Sequence, residues 1–441
     1  MPPSIQSTTP EIGQRGTSRG VRQIGRLEGT EVTEPPQVLD SIAISLLFLI
    51  LAQPYPLLLP AHLGTHVGHG LQLSLIGVLV ALSVRSRSSP QLIIGIATLS
   101  FAVILQLIRA FDTEAWPRAL SILSWHLPLA TGAALSVTTI RISRERATVL
   151  VVSAVSTSGA IAIAMHMCGP EVVLRMAGDL PQTQQAEASG RMYWYGCGAC
   201  LCVPLILFTP CRRGIAWGAI ALNFAGVVMT MNRTIMVAFP AATAMGCVLL
   251  SHSTLTRIRT IVVTIIGVAA IVTAVLLASD ERAVQVFWLR VAGGEREFDH
   301  AFTSGRVPLY IEYGERLREH WVFGQGLGVP TAISASADIP DSYTTDISFV
   351  SIWLTLGVAG PIGLLALVLG VHGRLKRADA SAGGAHAVTI LWIGVVASLN
   401  IDLLTRSPFI IAIAFLASCN SDTPTGRRTR SCGASRERLI A

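Results

Sequence analysis

The chain has 441 residues, 51% of them hydrophobic and only 13% charged, with a formal net charge of +7 and a mean hydropathy of +0.58. Soluble globular chains carry about 25% charged residues, so this composition excludes an ordinary soluble domain and points to a polytopic membrane protein. The charges lie between apolar runs about as long as a bilayer-crossing helix, and backbone polar groups in lipid must be satisfied within the segment, so those runs are read as helices.

Residues 1–38 are rich in Ser, Thr, Gly, Pro, Gln and Arg and lack apolar periodicity; they read as a disordered cytoplasmic tail. The bundle occupies 39–418, with twelve apolar spans near 41–60, 69–84, 91–110, 119–140, 147–168, 192–209, 215–231, 235–250, 260–278, 346–370, 387–403 and 407–418. The last is short, and is either tilted, partly interfacial, or joined to its predecessor. Residues 419–441 form a second flexible, basic tail. The expected fold is therefore all-α: a polytopic membrane helical bundle of about twelve transmembrane helices with one long, partly helical extracytoplasmic loop.

Basic residues set the orientation. Arg85/Arg87, Arg141/Arg144/Arg146, Arg212/Arg213, Arg257/Arg259 and Arg374/Lys376/Arg377 occupy alternate connections. All fall on one side of a twelve-span topology with both termini cytoplasmic. The loop 279–345 then faces outward, as do 169–191 and the turn Asn232-Arg233-Thr234. Lys376 is the only lysine; this fits either a codon bias or a use of arginine's planar fork for phosphate. Cys197-x-x-Cys200 has metal-ligand spacing but sits in an apolar run without a partner pair, and small packing residues explain it better. No metal and no cofactor is expected.

The loop 279–345 is the one long hydrophilic stretch inside the spans. Arg282 to Val291 reads as a short surface helix. Ser304 reads as the cap of a second helix with Pro308 in its first turn, where proline is tolerated. Val307, Tyr310, Ile311, Leu317 and Trp321 follow helical spacing as one apolar stripe. Gly324, Gly326 and Gly328 then end the helix in a tight turn that lets backbone or ligand come close. The loop is expected to fold as a cap over the bundle.

Three landmarks stand in order: Ser304-Gly305-Arg306; Val322-Phe323-Gly324-Gln325-Gly326-Leu327-Gly328; and Leu356-Gly357-Val358-Ala359-Gly360, with Asn232-Arg233-Thr234 before them and Asp402 and Arg406 after. In that order and placement, over about 230–410, the chain resembles the O-antigen polymerase and O-antigen ligase superfamily of bacterial membrane glycosyltransferases. The resemblance implies metal-independent transfer between polyprenyl-diphosphate-linked saccharides on the outer face of the bacterial plasma membrane. For that chemistry Arg306 and Arg233 are expected on the donor's diphosphate with Arg406 as a weaker third, Asp346 is expected as base with Asp341 in reserve, and Gly324 and Gly326 are expected against the substrate. The structural alternatives are a helix-start salt bridge to Glu312 or Asp299 for Arg306, headgroup snorkelling for Arg233 and a helix N-cap for Asp346.

One departure bears on the reaction. Ligases of that superfamily carry a His-Asn pair where the loop enters the next helix, and here Asp346-Ile347 stands there. A polymerase of O-antigen or exopolysaccharide repeats is therefore expected ahead of a ligase that moves glycan to a lipid or protein acceptor. A secondary transporter is the rival from another class. Expected partners are the lipid-linked donor and acceptor, the bilayer, and a chain-length regulator and flippase; no nucleic acid is expected.

Overall fold

The structure is a computed structural model that describes residues 36–53, 61–84, 89–111, 116–167, 198–229, 233–251, 253–278, 306–327, 348–378, 381–399, 403–405 and 407–420. Fourteen α-helices, one 3₁₀-helix and two short strands make up these residues. In chain order the helices are α1 (Pro36–Ala52), α2 (Ala61–Ser83), α3 (Pro90–Ala110), α4 (Trp116–Trp125) and α5 (Leu127–Val137). Strand β1 (Ile140–Ser143) leads into α6 (Arg144–Met167), and η1 (Gly198–Phe208) is the 3₁₀-helix. Then come α7 (Arg213–Met229), α8 (Arg233–Leu250), α9 (Thr254–Ala278), α10 (Arg306–His320), α11 (Ser348–Leu356), α12 (Ala359–Ala378), α13 (Ala382–Ala397) and α14 (Pro408–Ser418), and β2 (Cys419–Asn420) pairs in parallel with β1. These residues are mostly helical, with one short pair of strands. The two expected tails lie almost wholly outside them, as does the expected surface helix at 282–291.

Three stretches are long and apolar enough to cross a membrane by themselves: His66–Ser83, Pro90–Ala110 and Thr254–Ala274. Other apolar helices are shorter, and the reasons are local. The expected span 119–140 is broken at His126, with Pro128 opening α5; the ring has no N–H to continue the preceding helix. His126 therefore stands at a helix break and not in mid-helix. The expected span 346–370 is two helices, because Gly357 takes φ +69 and ends α11. The expected span 192–209 is described only as η1, with Pro204 inside it.

The last span is a short helix enclosed by the bundle. Every residue of α14 is buried, and its sequence is apolar on all faces, as a central helix requires. Its 11 residues reach roughly 16 Å, about half of a hydrocarbon core. It packs among α5, η1, α12, α13 and α6. By contrast α3 and α9 turn Phe101, Ile108, Ile265 and Ile266 outward, each more than half exposed, as helices that meet lipid do.

Close approach of small residues holds α3 to α12. A Cβ on Gly95 would lie 2.8 Å from the Leu367 amide nitrogen, and one on Gly363 would lie 2.6 Å from Leu99 Cγ. Such contacts are the usual basis of helix association in lipid, where burial of apolar surface gives no drive. Further along, Gly370 meets Leu92, so the two helices run antiparallel. Asn223 adds a polar tie between α7 and α6, its Nδ2 donating to Ser156 Oγ at 2.8 Å.

The packing gathers the arginine-bearing helix ends. Arg374, near the end of α12, donates to the Ser136 carbonyl and, at 3.3 Å, to Thr139 Oγ1. There β1 meets β2, and the Arg141 amide donates to Asp40 Oδ1 at the start of α1 at 3.3 Å. Phe208 at the end of η1 and Gly246 near the end of α8 both abut His386 at the start of α13. Arg141, Arg144, Arg212, Arg213, Arg257 and Arg374 thus begin or end helices at one end of the bundle.

Candidate functional site

The opposite end carries the glycine motifs. Helix α10 has Pro308 in its first turn, as expected, and buries Tyr313 against Leu354, with Leu317 and Val350 alongside. The sequence reading missed Tyr313 and assigned Trp321 to the buried stripe; Trp321 is in fact 55% exposed. It lies just past the helix, where the chain has already turned. Its carbonyl accepts from Trp353 Nε1 at 2.9 Å.

The turn after α10 and the corner between α11 and α12 clasp each other through their backbones. The Gly324 amide donates to the His320 carbonyl at 2.8 Å, closing the helix. The Gln325 amide donates to the Leu354 carbonyl at 2.7 Å, and the Val358 amide to the Val322 carbonyl at 3.1 Å. Gly324 and Gly357 both have φ +69, a left-handed conformation that costs L side chains about 1–2 kcal/mol. Space forbids a side chain as well. A Cβ on Gly324 would sit 2.6 Å from the Gly357 nitrogen, and one on Gly357 would sit 2.0 Å from the Val322 oxygen. Two motifs thirty residues apart in the chain are thus one structural unit. Gly324 is occupied by protein backbone, so its closeness serves the clasp.

Helix α3 anchors this unit. Gln106, 1% exposed, donates from Nε2 to the Phe323 carbonyl. Arg109 reaches the same carbonyl at 3.5 Å and donates to Gln106 Oε1 at 3.2 Å. Gly326, at φ +103, faces Gln106 Oε1, 3.3 Å from where a Cβ would stand. Neither Gln106 nor Arg109 was expected in the site. The signal was present, since a Gln and an Arg at i and i+3 near the end of an apolar span are costly in lipid unless they are used.

A second locus lies around residues 403–407. The Leu404 amide donates to Ser348 Oγ at 3.1 Å, and the Leu129 amide donates to the Thr405 carbonyl at 3.3 Å. Ser407 caps α14 by accepting from the Phe409 amide at 3.2 Å, and a Cβ on Gly198 would stand 2.4 Å from Ser407 Oγ. Ser348, Thr405 and Ser407 are all buried. The first turns of α5, η1, α11 and α14 therefore meet at one segment.

The expected site residues distribute as follows. Arg306 and Arg233 begin α10 and α8, and only their backbones are among the described residues. Because Gly246 of α8 sits at the arginine-bearing end, Arg233 begins its helix at the end shared with the glycine clasp. Arg306 and Gly324 are at opposite ends of α10, whose 15 residues span roughly 22 Å. Asp341, Asp346 and Arg406 lie outside the described residues, but their neighbours are brought together. Ser348, two residues beyond Asp346, bonds Leu404, two residues before Arg406. Gly326 does adjoin a polar side chain, that of Gln106. Comparison with protein-family models and with curated proteins finds no match.

Proposed function

We propose that the protein is a polysaccharide polymerase of the bacterial plasma membrane, joining polyprenyl-diphosphate-linked oligosaccharide repeats on the outer face. The chain would cross the bilayer about twelve times with both termini cytoplasmic, the glycine clasp outside and the arginine-bearing helix ends inside. In the reaction, an acceptor hydroxyl attacks the anomeric carbon of the donor saccharide, and the bond from that carbon to the diphosphate oxygen breaks. The hydroxyl proton passes to the Asp346 carboxylate, with Asp341 in reserve. The departing diphosphate keeps the electron pair, and Arg306, Arg233 and Arg406 offset its charge through paired, charge-assisted hydrogen bonds.

The observation that carries this reading is the meeting of α5, η1, α11 and α14 at 403–407, where Ser348, two residues beyond Asp346, bonds Leu404, two residues before Arg406. An arginine two residues from this contact suits a diphosphate, and a carboxylate two residues from it on the other chain segment suits the acceptor. The order of the three sequence landmarks supports it, since two of them form the clasp at the far end of α11. The ligase alternative lacks its His-Asn pair. The transporter alternative draws on one feature, the broken helix at His126 next to Thr405, because transporters place their sites at interrupted helices.

A strain lacking the protein is expected to lose one surface polysaccharide and to accumulate a lipid-linked single repeat. Composition analysis of the lost glycan and mass spectrometry of the lipid fraction check this. Loss of solute uptake with all surface glycans intact would instead establish the transporter.

A further inference from the structure

Gln106 is the only residue of α3 that is polar, fully enclosed and bonded to another part of the chain among the described residues. Its amide is used on both sides: Nε2 donates to the Phe323 carbonyl, and Oε1 accepts from Arg109 at 3.2 Å. Arg109 in turn approaches the Phe323 carbonyl at 3.5 Å, so one carbonyl of the turn meets two donors from one helix. The close face of Gly326 leaves Oε1 the room it occupies. Apart from this clamp, the turn is tied by backbone bonds to α10 and the α11–α12 corner. Helix α3 is packed along its length against α12 through Gly95, Gly363 and Gly370, so it forms a fixed wall against which the turn is set.

We infer that Gln106 and Arg109 are positioning residues that hold the Val322–Leu327 turn, and with it α10, in register with the bundle. This rests on the proposed polymerase only for its consequence, because Arg306 begins the helix that the turn terminates. A buried carboxamide that keeps both of its polar atoms bonded gives a defined position, whereas an apolar residue there would leave the Phe323 carbonyl with only the longer contact from Arg109, at 3.5 Å, as its side-chain donor. Glutamate at 106 would keep Arg109 and lose the donor to Phe323.

The test is hydrogen exchange on the full-length protein in nanodiscs, comparing wild type with Gln106→Leu, Gln106→Glu and Arg109→Gln. Both Gln106 variants are expected to speed exchange at Gly324 and Gln325 about tenfold, the effect of losing one buried hydrogen bond. Arg109→Gln should do so less, and exchange in α14 should stay unchanged, which shows that the bundle is intact. With a lipid-linked repeat as substrate, the Gln106 variants are expected to lower kcat while KM changes less than about twofold, as for misplacement of a catalytic group. Unchanged exchange at 324–325, or equal loosening of α14, overturns the clamp. Local loosening with no chain extension even by wild type supports the clamp and overturns the polymerase.

Discussion

Replacing Arg306 with alanine is expected to abolish polymer growth while the protein still inserts into the membrane at normal abundance. The effect should reach about a hundredfold or more, the usual cost of removing one preorganised donor from developing negative charge. Arg233→Ala is expected to act likewise, because both arginines would face the diphosphate as planar forks. Lysine at either position keeps the charge but not the paired geometry, so it should restore only part of the activity. The measurement is the length distribution of polymer made in a deletion strain by each variant, with membrane protein quantified alongside. Normal chain lengths in both alanine variants would remove these residues from the mechanism.

Gly357→Ala is expected to have the largest effect on the fold of the site. The added methyl group would meet the Val322 oxygen at 2.0 Å, at a residue whose φ is +69. Conformation alone costs about 1–3 kcal/mol, and the clash can be relieved only by parting the α11–α12 corner from the turn. The Val358-to-Val322 and Gln325-to-Leu354 hydrogen bonds should then fail together. Limited proteolysis of the 306–327 segment and the Tm of the purified protein report this. The variant is expected to be cut faster in that segment and to unfold at lower temperature, whereas Ala at Gly314, which has open space around it, should behave as wild type. Equal protease resistance of Gly357→Ala and wild type would contradict the clasp.

Much of the architecture was legible in the residues. Mean hydropathy and charge spacing point to a mostly helical chain with helices long and apolar enough to cross a membrane, and the described arginines of four alternate connections gather at one end of the bundle. Pro308 and the glycines after Trp321 correctly mark where α10 begins and ends. What hydropathy cannot register is a break within an apolar run. The stretches 119–140 and 346–370 remain apolar through His126 and Gly357, so windowed hydrophobicity joins helices that a proline and a left-handed glycine separate. The same insensitivity hid the burial of α14, whose short, wholly apolar sequence signals a central helix once length is weighed against bilayer thickness.

The site was legible in part, for a different reason. Motif order pointed to Gly324 and Gly357, but only three-dimensional structure shows that each glycine makes room for the other. Gln106 escaped notice because its partner lies 217 residues away, and a backbone carbonyl leaves no trace in a sequence. Ser348 and Leu404 are likewise ordinary residues joined by a long-range bond. Their contact joins the start of α11 to the segment before α14, a juxtaposition that chain order alone did not supply.

The central claim is chain extension from a lipid-diphosphate donor. Its most direct test is the purified protein in sealed proteoliposomes with the lipid-linked repeat isolated from its own source cells and no ion gradient. The expected result is a ladder of lipid-linked products that grow by whole repeats, with release of polyprenyl diphosphate equal to the bonds formed. An unchanged single repeat, in preparations where a gradient instead drives uptake of a solute, would contradict it.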